Sequence, residues 1–215
     1  MSISRKARLG LTELKIGGLA RMSGCDWPDR LVATIFCQGC GWRCPYCHNR
    51  HLLPMDSRHG IIPWADVRAF LDSRRGLLDG VVFSGGEPTL QDALLDAIRE
   101  TRAMGFSIGL HTGGPHPERF AALLPLLDWV GLDIKAPFDE YERITGSPGS
   151  GACARESLSL LLDSGVAFEL RTTVHPALLD DDALVRLHAD LAEFGLPGPK
   201  IQPYRPPPMT ATANG

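Results

Sequence analysis

The chain has 215 residues, is 44% hydrophobic and carries a formal net charge of -3. That length supports one well-packed core, expected as a single domain over residues 1–205. The charge balance contains no basic block, which argues against nucleic acid as a partner, and no apolar run approaches the roughly 20 residues of a membrane span.

Arg5, Lys6 and Arg8 precede no apolar stretch, so the N-terminus does not read as a signal peptide. The chain is therefore expected in the cytoplasm, where thiols stay reduced. Residues 10–18 read as a short alternating strand that ends in a glycine turn. Residues 30–37 hold Leu31, Val32, Ile35 and Phe36, the composition of a buried strand. Pro63 suits a helix start, with Trp64, Val67, Phe70 and Leu71 at helical spacing behind it. Residues 80–84 form a strand, and Leu90, Leu94, Ala97 and Ile98 form a helical stripe stopped by Gly105. Strand 106–111, helix 118–124, strand 129–134, helix 156–162 and strand 166–174 follow. Leu184, Leu187, Leu191 and Phe194 give another helix face, and residues 200–202 a last short strand.

Six strands thus alternate with helices, which implies a parallel sheet. Six units are too few for a closed eightfold barrel, so the expected fold class is α/β, an open partial (β/α)6 barrel. Function in such barrels sits at the carboxyl ends of the strands. The tail, residues 206–215, is small and polar behind a proline run and is expected to be disordered.

Four of the six cysteines fall in Cys37-Gln-Gly-Cys40-Gly-Trp-Arg-Cys44-Pro-Tyr-Cys47-His-Asn-Arg50, at the end of the first core strand. Three of them, Cys40, Cys44 and Cys47, read C-x3-C-x2-C. Thiolates are soft ligands that suit zinc or iron–sulfur clusters. The stretch also contains two C-x2-C pairs, a zinc half-site pattern, but zinc sites separate such pairs by about 12–20 residues rather than by Gly41, Trp42 and Arg43 alone. The bacterial ferredoxin order of cysteines differs, and a disulfide framework suits short secreted chains. A non-catalytic zinc or iron–sulfur protein remains the reading from another functional class.

The C-x3-C-x2-C run with Tyr46 before its last cysteine resembles the cluster loop of radical S-adenosylmethionine (radical SAM) enzymes. Its continuation Cys47-His48-Asn49 resembles the branch that installs a glycyl radical on a partner enzyme. The resemblance implies a 4Fe-4S cluster held by Cys40, Cys44 and Cys47, with one iron left open to S-adenosylmethionine. It also implies reductive cleavage of that molecule and hydrogen abstraction from a backbone glycine. The expected partners are the large subunit of anaerobic ribonucleotide reductase and a flavodoxin or ferredoxin-type electron donor. Activation of pyruvate formate-lyase, or a small-molecule radical SAM reaction such as deazaguanine synthesis, stands beside that reading.

The remaining motifs are read against the same resemblance. Gly85-Gly86-Glu87 resembles the motif that holds the amino group of S-adenosylmethionine, and Tyr46 and His48 join it as expected cofactor contacts. His111 stands where relatives carry an aspartate that helps bind a monovalent cation, so the cation is an open expectation here. Asp133 and Lys135, two apart on a strand, share a face. They match an Asp-x-Lys motif near S-adenosylmethionine, against a plain reading as a solvated rim salt bridge. Glu169, Arg171 and Thr173 share a face of the fifth strand, where charge is costly unless paired or liganding. Arg171 is thus either an active-site arginine, as in the relatives, or half of a structural Arg–Glu pair. Asp133, Lys135 and Arg171 are the candidate catalytic residues. Asp26-Trp27-Pro28 resembles an Asp-Gly-Pro stretch near the target-peptide dock of relatives, with Trp27 in place of the glycine.

Overall fold

The computed structural model describes residues 13–56 and 60–206. The basic segment at residues 5–8 and residues 207–215 of the expected tail lie outside the described residues. Seven strands form one sheet in chain order: β1 (Ile16–Ser23), β2 (Val32–Cys37), β3 (Gly80–Gly85), β4 (Ser107–Thr112), β5 (Trp129–Asp133), β6 (Ala167–Val174) and β7 (Lys200–Pro203). The six strands β2 to β7 pair parallel, as the alternation demands, and β1 is added antiparallel to β2. β1 and β7 do not pair with each other, so the barrel stays open.

Between the strands run α1 (Trp64–Asp72), α2 (Leu94–Ala103), α3 (Pro117–Leu123), the short α4 (Tyr141–Thr145), α5 (Ser150–Ser164) and α6 (Asp181–Ala192). Three boundaries differ from the sequence expectation. β1 runs through Gly17-Gly18 to Ser23 instead of turning there. The reason is space: a methyl on Gly17 would lie 2.3 Å from Leu52 Cδ2, so the glycine lets the strand pass close to the cysteine loop. α2 begins at Leu94 because the Pro88–Leu90 turn comes first, and α5 begins at Ser150, earlier than the apolar stripe suggests.

The period of two divides the sheet cleanly. Ala33 and Ile35, Val81 and Phe83, Ile108 and Leu110, and Val130 and Leu132 face the helices and form the main core with Val67, Leu71, Ile98, Phe120, Leu158 and Leu187. Val32, Val82 and Trp129 face the concave side, where Trp27 joins them in a second, smaller cluster. Trp27 comes from the β1–β2 connection. Its ring stacks on Trp129 with centroids 5.6 Å apart and planes at 18°. It also lies over Gly109, where a methyl would stand 2.9 Å from the ring. The barrel interior is therefore filled toward the amino ends of the strands, and the space left lies at their carboxyl ends.

Candidate active site

The site starts from a backbone contact between two loops. After β2 the chain turns at Gly39, whose N–H donates to Leu52 O (2.7 Å), and Cys40 N–H donates to Leu53 O (3.2 Å). These bonds fix both ends of the cysteine loop. After β3, Gly86 N–H donates to Cys37 O and Glu87 N–H to Gly39 O, both at 2.8 Å. A methyl on Gly85 would lie 2.4 Å from Cys37 N, and one on Gly86 2.2 Å from Gly39 O. The paired glycines thus allow close approach to the cysteine loop itself. The result is that Glu87 stands beside Cys40.

Every expected site residue lines one cavity of about 200 Å³: Cys40, Cys44, Tyr46, Cys47 and His48 from the loop, Gly85 at the end of β3 with Gly86 and Glu87 after it, Asp133 at the end of β5 with Lys135 after it, and Arg171 from β6. His111, Thr112 and Gly113 from the end of β4 line it too, His111 at the position the resemblance sets beside the cofactor, and so does Trp42, which the sequence reading did not place there. Trp42 is buried between Cys40 and Cys44. Its ring meets Tyr141 edge-on (centroids 5.9 Å, 74°) and fills the space over Gly113. An aromatic inside C-x3-C, matched by Gly113-Gly114 at a strand end, was the available signal. Cys25 is exposed, Cys37 is buried outside the cavity lining, and Cys153 lies on α5 in a separate surface depression beside His116.

Glu87 is almost fully buried. Its Oε1 accepts from Thr89 N (3.0 Å), Thr89 Oγ1 (2.6 Å) and Thr112 Oγ1 (2.8 Å), while Oε2, among the described residues, accepts from Gly113 N alone (3.1 Å). One oxygen is saturated and the other keeps capacity for a further donor. Across the cavity, Asp133 and Arg171 are register partners on β5 and β6. Arg171 Nε and Nη2 donate to Asp133 Oδ1 at 3.0 and 2.9 Å, and Lys135 Nζ donates to Oδ2 at 3.0 Å. Arg171 therefore pairs with Asp133. Glu169 pairs with Lys200 (3.0 Å) instead, so the Arg–Glu pair within β6 does not form. Nor is the Asp133–Lys135 bridge solvated, since Lys135 is only 16% exposed.

The electrostatics follow from these contacts. Burial opposes ionisation of Asp133, but Arg171 and Lys135 outweigh it and hold the carboxyl well below its usual range. Burial works against charge on Lys135 as well, and Asp133 outweighs it. Burial, reinforced by Glu87, pushes the Cys40 thiol up to about 12, and burial raises Cys44 and Tyr46. Without a metal these thiols stay protonated; metal binding must displace their protons.

His111 is kept neutral, at about 4, by burial and then by the Arg171 guanidinium. Its Nε2 lies 2.7 Å from Asp26 O and its Nδ1 3.3 Å from Ser84 Oγ. Nε2 also lies 3.1 Å from Arg171 Nη1, which can only donate, so the Asp26 carbonyl and the guanidinium compete for this nitrogen. A neutral imidazole offers no anionic oxygen at the position where the monovalent cation was considered. The same histidine ties the Asp26-Trp27-Pro28 connection to the cavity floor, and Asp26 Oδ2 also accepts from Thr34 Oγ1 (2.6 Å).

Fold and site together define an open-barrel enzyme whose cavity, at the carboxyl ends of parallel strands, is walled by three thiols on one side and a buried carboxylate on another. The family model of the radical SAM superfamily matches residues 34–187, and the chain belongs to that superfamily. It is 32% identical over 174 residues to a Methanocaldococcus jannaschii protein named as a glycyl-radical enzyme activating enzyme, covering 78% of this chain and 71% of that one. It is 29% identical over 185 residues to the pyruvate formate-lyase-activating enzyme of Clostridium pasteurianum, covering 82% and 75%. Among solved structures, QueE from Escherichia coli shares the fold with a TM-score of 0.58 at 21% identity, covering 89% of this chain and 84% of that one. Among the described residues, no helix is long and apolar enough to cross a membrane.

Proposed function

We propose that this chain is a glycyl-radical enzyme activating enzyme whose partner is the large subunit of anaerobic ribonucleoside-triphosphate reductase. The observation that carries the reading is one cavity that sets Cys40, Cys44 and Cys47 against Gly85, Gly86 and Glu87 at the mouth of an open barrel. The donor set fits the cofactors of the family. Three soft thiols suit iron–sulfur, and three protein ligands leave a fourth position open. The free capacity of Glu87 Oε2 suits an ammonium group.

Cys40, Cys44 and Cys47 would hold a 4Fe-4S cluster, and Glu87 would take the amino group of S-adenosylmethionine. A reduced cluster held there would supply the single electron for reductive cleavage of S-adenosylmethionine, the chemistry by which the family takes a hydrogen from a glycine. The chain's own residues do the rest. Gly85 and Gly86 bring the carboxylate against the cysteine loop, and Trp42 wedges that loop against Tyr141 and Gly113. Arg171 and Lys135 each hold one oxygen of Asp133 and fix it as an anion in the cavity wall. Trp27 and Trp129 fill the barrel from below and close it toward the amino ends of the strands. An open mouth there admits a backbone loop of another protein.

The test is anaerobic reconstitution with iron and sulfide, reduction with dithionite, and assay of 5′-deoxyadenosine from S-adenosylmethionine. The reading predicts cleavage that depends on reduction and on Cys44. Tight iron binding with no cleavage under any donor would reduce the chain to a non-catalytic iron–sulfur protein.

A further inference from the structure

The cysteine loop carries charge on the side turned away from the cavity. From Cys37 to Met55 it holds Arg43, His48, Arg50 and His51 and no aspartate or glutamate, in a chain of net charge -3. Arg43, Arg50 and His51 are exposed, and none of the three lines the cavity. The first acid beyond the loop, Asp56, pairs with Lys15 (3.5 Å). The neighbouring α4 meets the loop where Arg43 N–H donates to Thr145 O (2.7 Å). Glu140 before that helix is held by Arg143 and Arg186, and Glu142 within it is exposed. Among the described residues, neither Arg43 nor Arg50 pairs with a carboxylate; their side chains meet carbonyls of the loop itself.

Those carbonyl bonds hold the two guanidinium groups in place. Arg43 Nη1 donates to Cys40 O (2.5 Å) and Trp42 O (2.9 Å), and Arg50 Nη2 donates to Pro45 O. A guanidinium has five N–H donors in a fixed fork, so each keeps donors for a carboxylate arriving from solvent. The fork is already ordered, and less side-chain freedom is lost when a partner binds. In sequence the two arginines bracket the last two thiols of the loop, Arg43 one residue before Cys44 and Arg50 three after Cys47. The proposed reaction draws one electron from outside the chain, while the barrel mouth admits the small ligand and the target loop. An electron carrier therefore meets the thiols from the other side of the loop, and the charge it meets there is positive.

We propose that the outer side of the cysteine loop is the docking surface of an acidic one-electron carrier protein, whose carboxylates pair with Arg43 and Arg50. The proposal rests on the proposed function, whose cluster would sit in this loop, and adds the face through which its electron enters. In that step the carrier is oxidised by one electron and the cluster reduced by one; no bond forms or breaks. Charge complementarity of this kind acts chiefly on the rate of encounter, and salt screens it.

The experiment follows bleaching of the cluster's absorbance in the anaerobically reconstituted full chain by stopped flow. Two reductants are compared: a reduced flavodoxin of negative net charge, and reduced methyl viologen, a small cation. The double variant Arg43→Gln, Arg50→Gln is reduced by flavodoxin about tenfold more slowly than the wild type at low salt, the lower end of electrostatic steering. The double variant Arg43→Lys, Arg50→Lys keeps the charge, loses the fork and stays within about twofold of the wild type. Methyl viologen reduces all three at one rate. Raising the ionic strength from about 0.01 M to 0.15 M shortens the screening length from about 30 Å to 8 Å, and slows only the flavodoxin reaction of the wild type and the lysine variant. A glutamine variant reduced by flavodoxin at the wild-type rate would overturn the proposal. Equal slowing of both double variants would overturn it too, because the arginines would then only hold the loop. So would equal slowing by both reductants, which would place their effect on the cluster itself. Normal reduction with weakened binding of the glycyl-radical enzyme would give this face to that partner and overturn the proposal as well. A wild-type protein that is reduced by flavodoxin and cleaves no S-adenosylmethionine would instead overturn the proposed function and leave the docking surface standing.

Discussion

Removing the Glu87 carboxylate should damage the fold before it damages chemistry. The carboxylate accepts from two backbone amides, Thr89 N and Gly113 N, and from two hydroxyls, Thr89 Oγ1 and Thr112 Oγ1, all in buried surroundings. The hydroxyls can turn to other acceptors, but the amides cannot. Two buried amides left unsatisfied at about 1–3 kcal/mol each, with the hydroxyl bonds lost besides, put the cost of Glu87→Ala near 4 kcal/mol. Against a typical stability of about 5–15 kcal/mol that is a large fraction. Urea unfolding of the metal-free chain, followed by tryptophan fluorescence, should show the midpoint falling by about 2 M at a slope near 2 kcal/mol/M. Glu87→Gln keeps one acceptor oxygen for most of these donors, so it should fold with a loss of only about 1 kcal/mol. It also loses the negative charge, so its affinity for S-adenosylmethionine should fall while its cluster absorbance stays. A wild-type midpoint in Glu87→Ala would refute this reasoning, because the carboxylate would then not bind the β3 and β4 ends together.

Cys37 is buried outside the cavity lining and its thiol is raised by burial, so Cys37→Ala should retain iron while Cys44→Ala loses it; equal loss in both would reject the assignment of Cys40, Cys44 and Cys47 as ligands. A methyl on Gly113 would lie 2.3 Å from the Trp42 ring, so Gly113→Ala should expel Trp42, red-shift its fluorescence and speed loss of iron to a chelator. His111 titrates near 4 in the folded chain against an ordinary 6.5, so the unfolded chain binds more protons between those values. Stability should therefore fall by about 2 kcal/mol from pH 7 to pH 5, and His111→Gln should flatten that fall in urea titrations at the two pH values.

The parallel sheet was legible because strand and helix runs alternate and each keeps its own period. The cavity was legible where chemistry is local in sequence: the three cysteines, Gly85-Gly86-Glu87, and Asp133 with Lys135 two residues on. What escaped was pairing across the sheet. Arg171 finds Asp133 through strand register, 38 residues away in sequence, and Glu169 finds Lys200 on the neighbouring strand β7, diagonally, since Lys200 is the register partner of Arg171. No local pattern announces that Thr112 and Gly113 complete the shell of Glu87. Asp26-Trp27-Pro28 resembles a stretch near a peptide dock, yet Trp27 is 7% exposed because Gly109, far along the chain, leaves room for its ring. The short α4 lacked a long enough apolar period to register.

The most direct test of the central claim is electron paramagnetic resonance on an anaerobic mixture of the reconstituted chain, S-adenosylmethionine, reductant and the large subunit of anaerobic ribonucleotide reductase. The account predicts a glycyl-radical doublet that disappears when the target glycine is replaced by alanine. A doublet on pyruvate formate-lyase alone would move the activity to the other partner. Formation of 5′-deoxyadenosine with no doublet on either protein would contradict the claim that the substrate is a glycine of another enzyme.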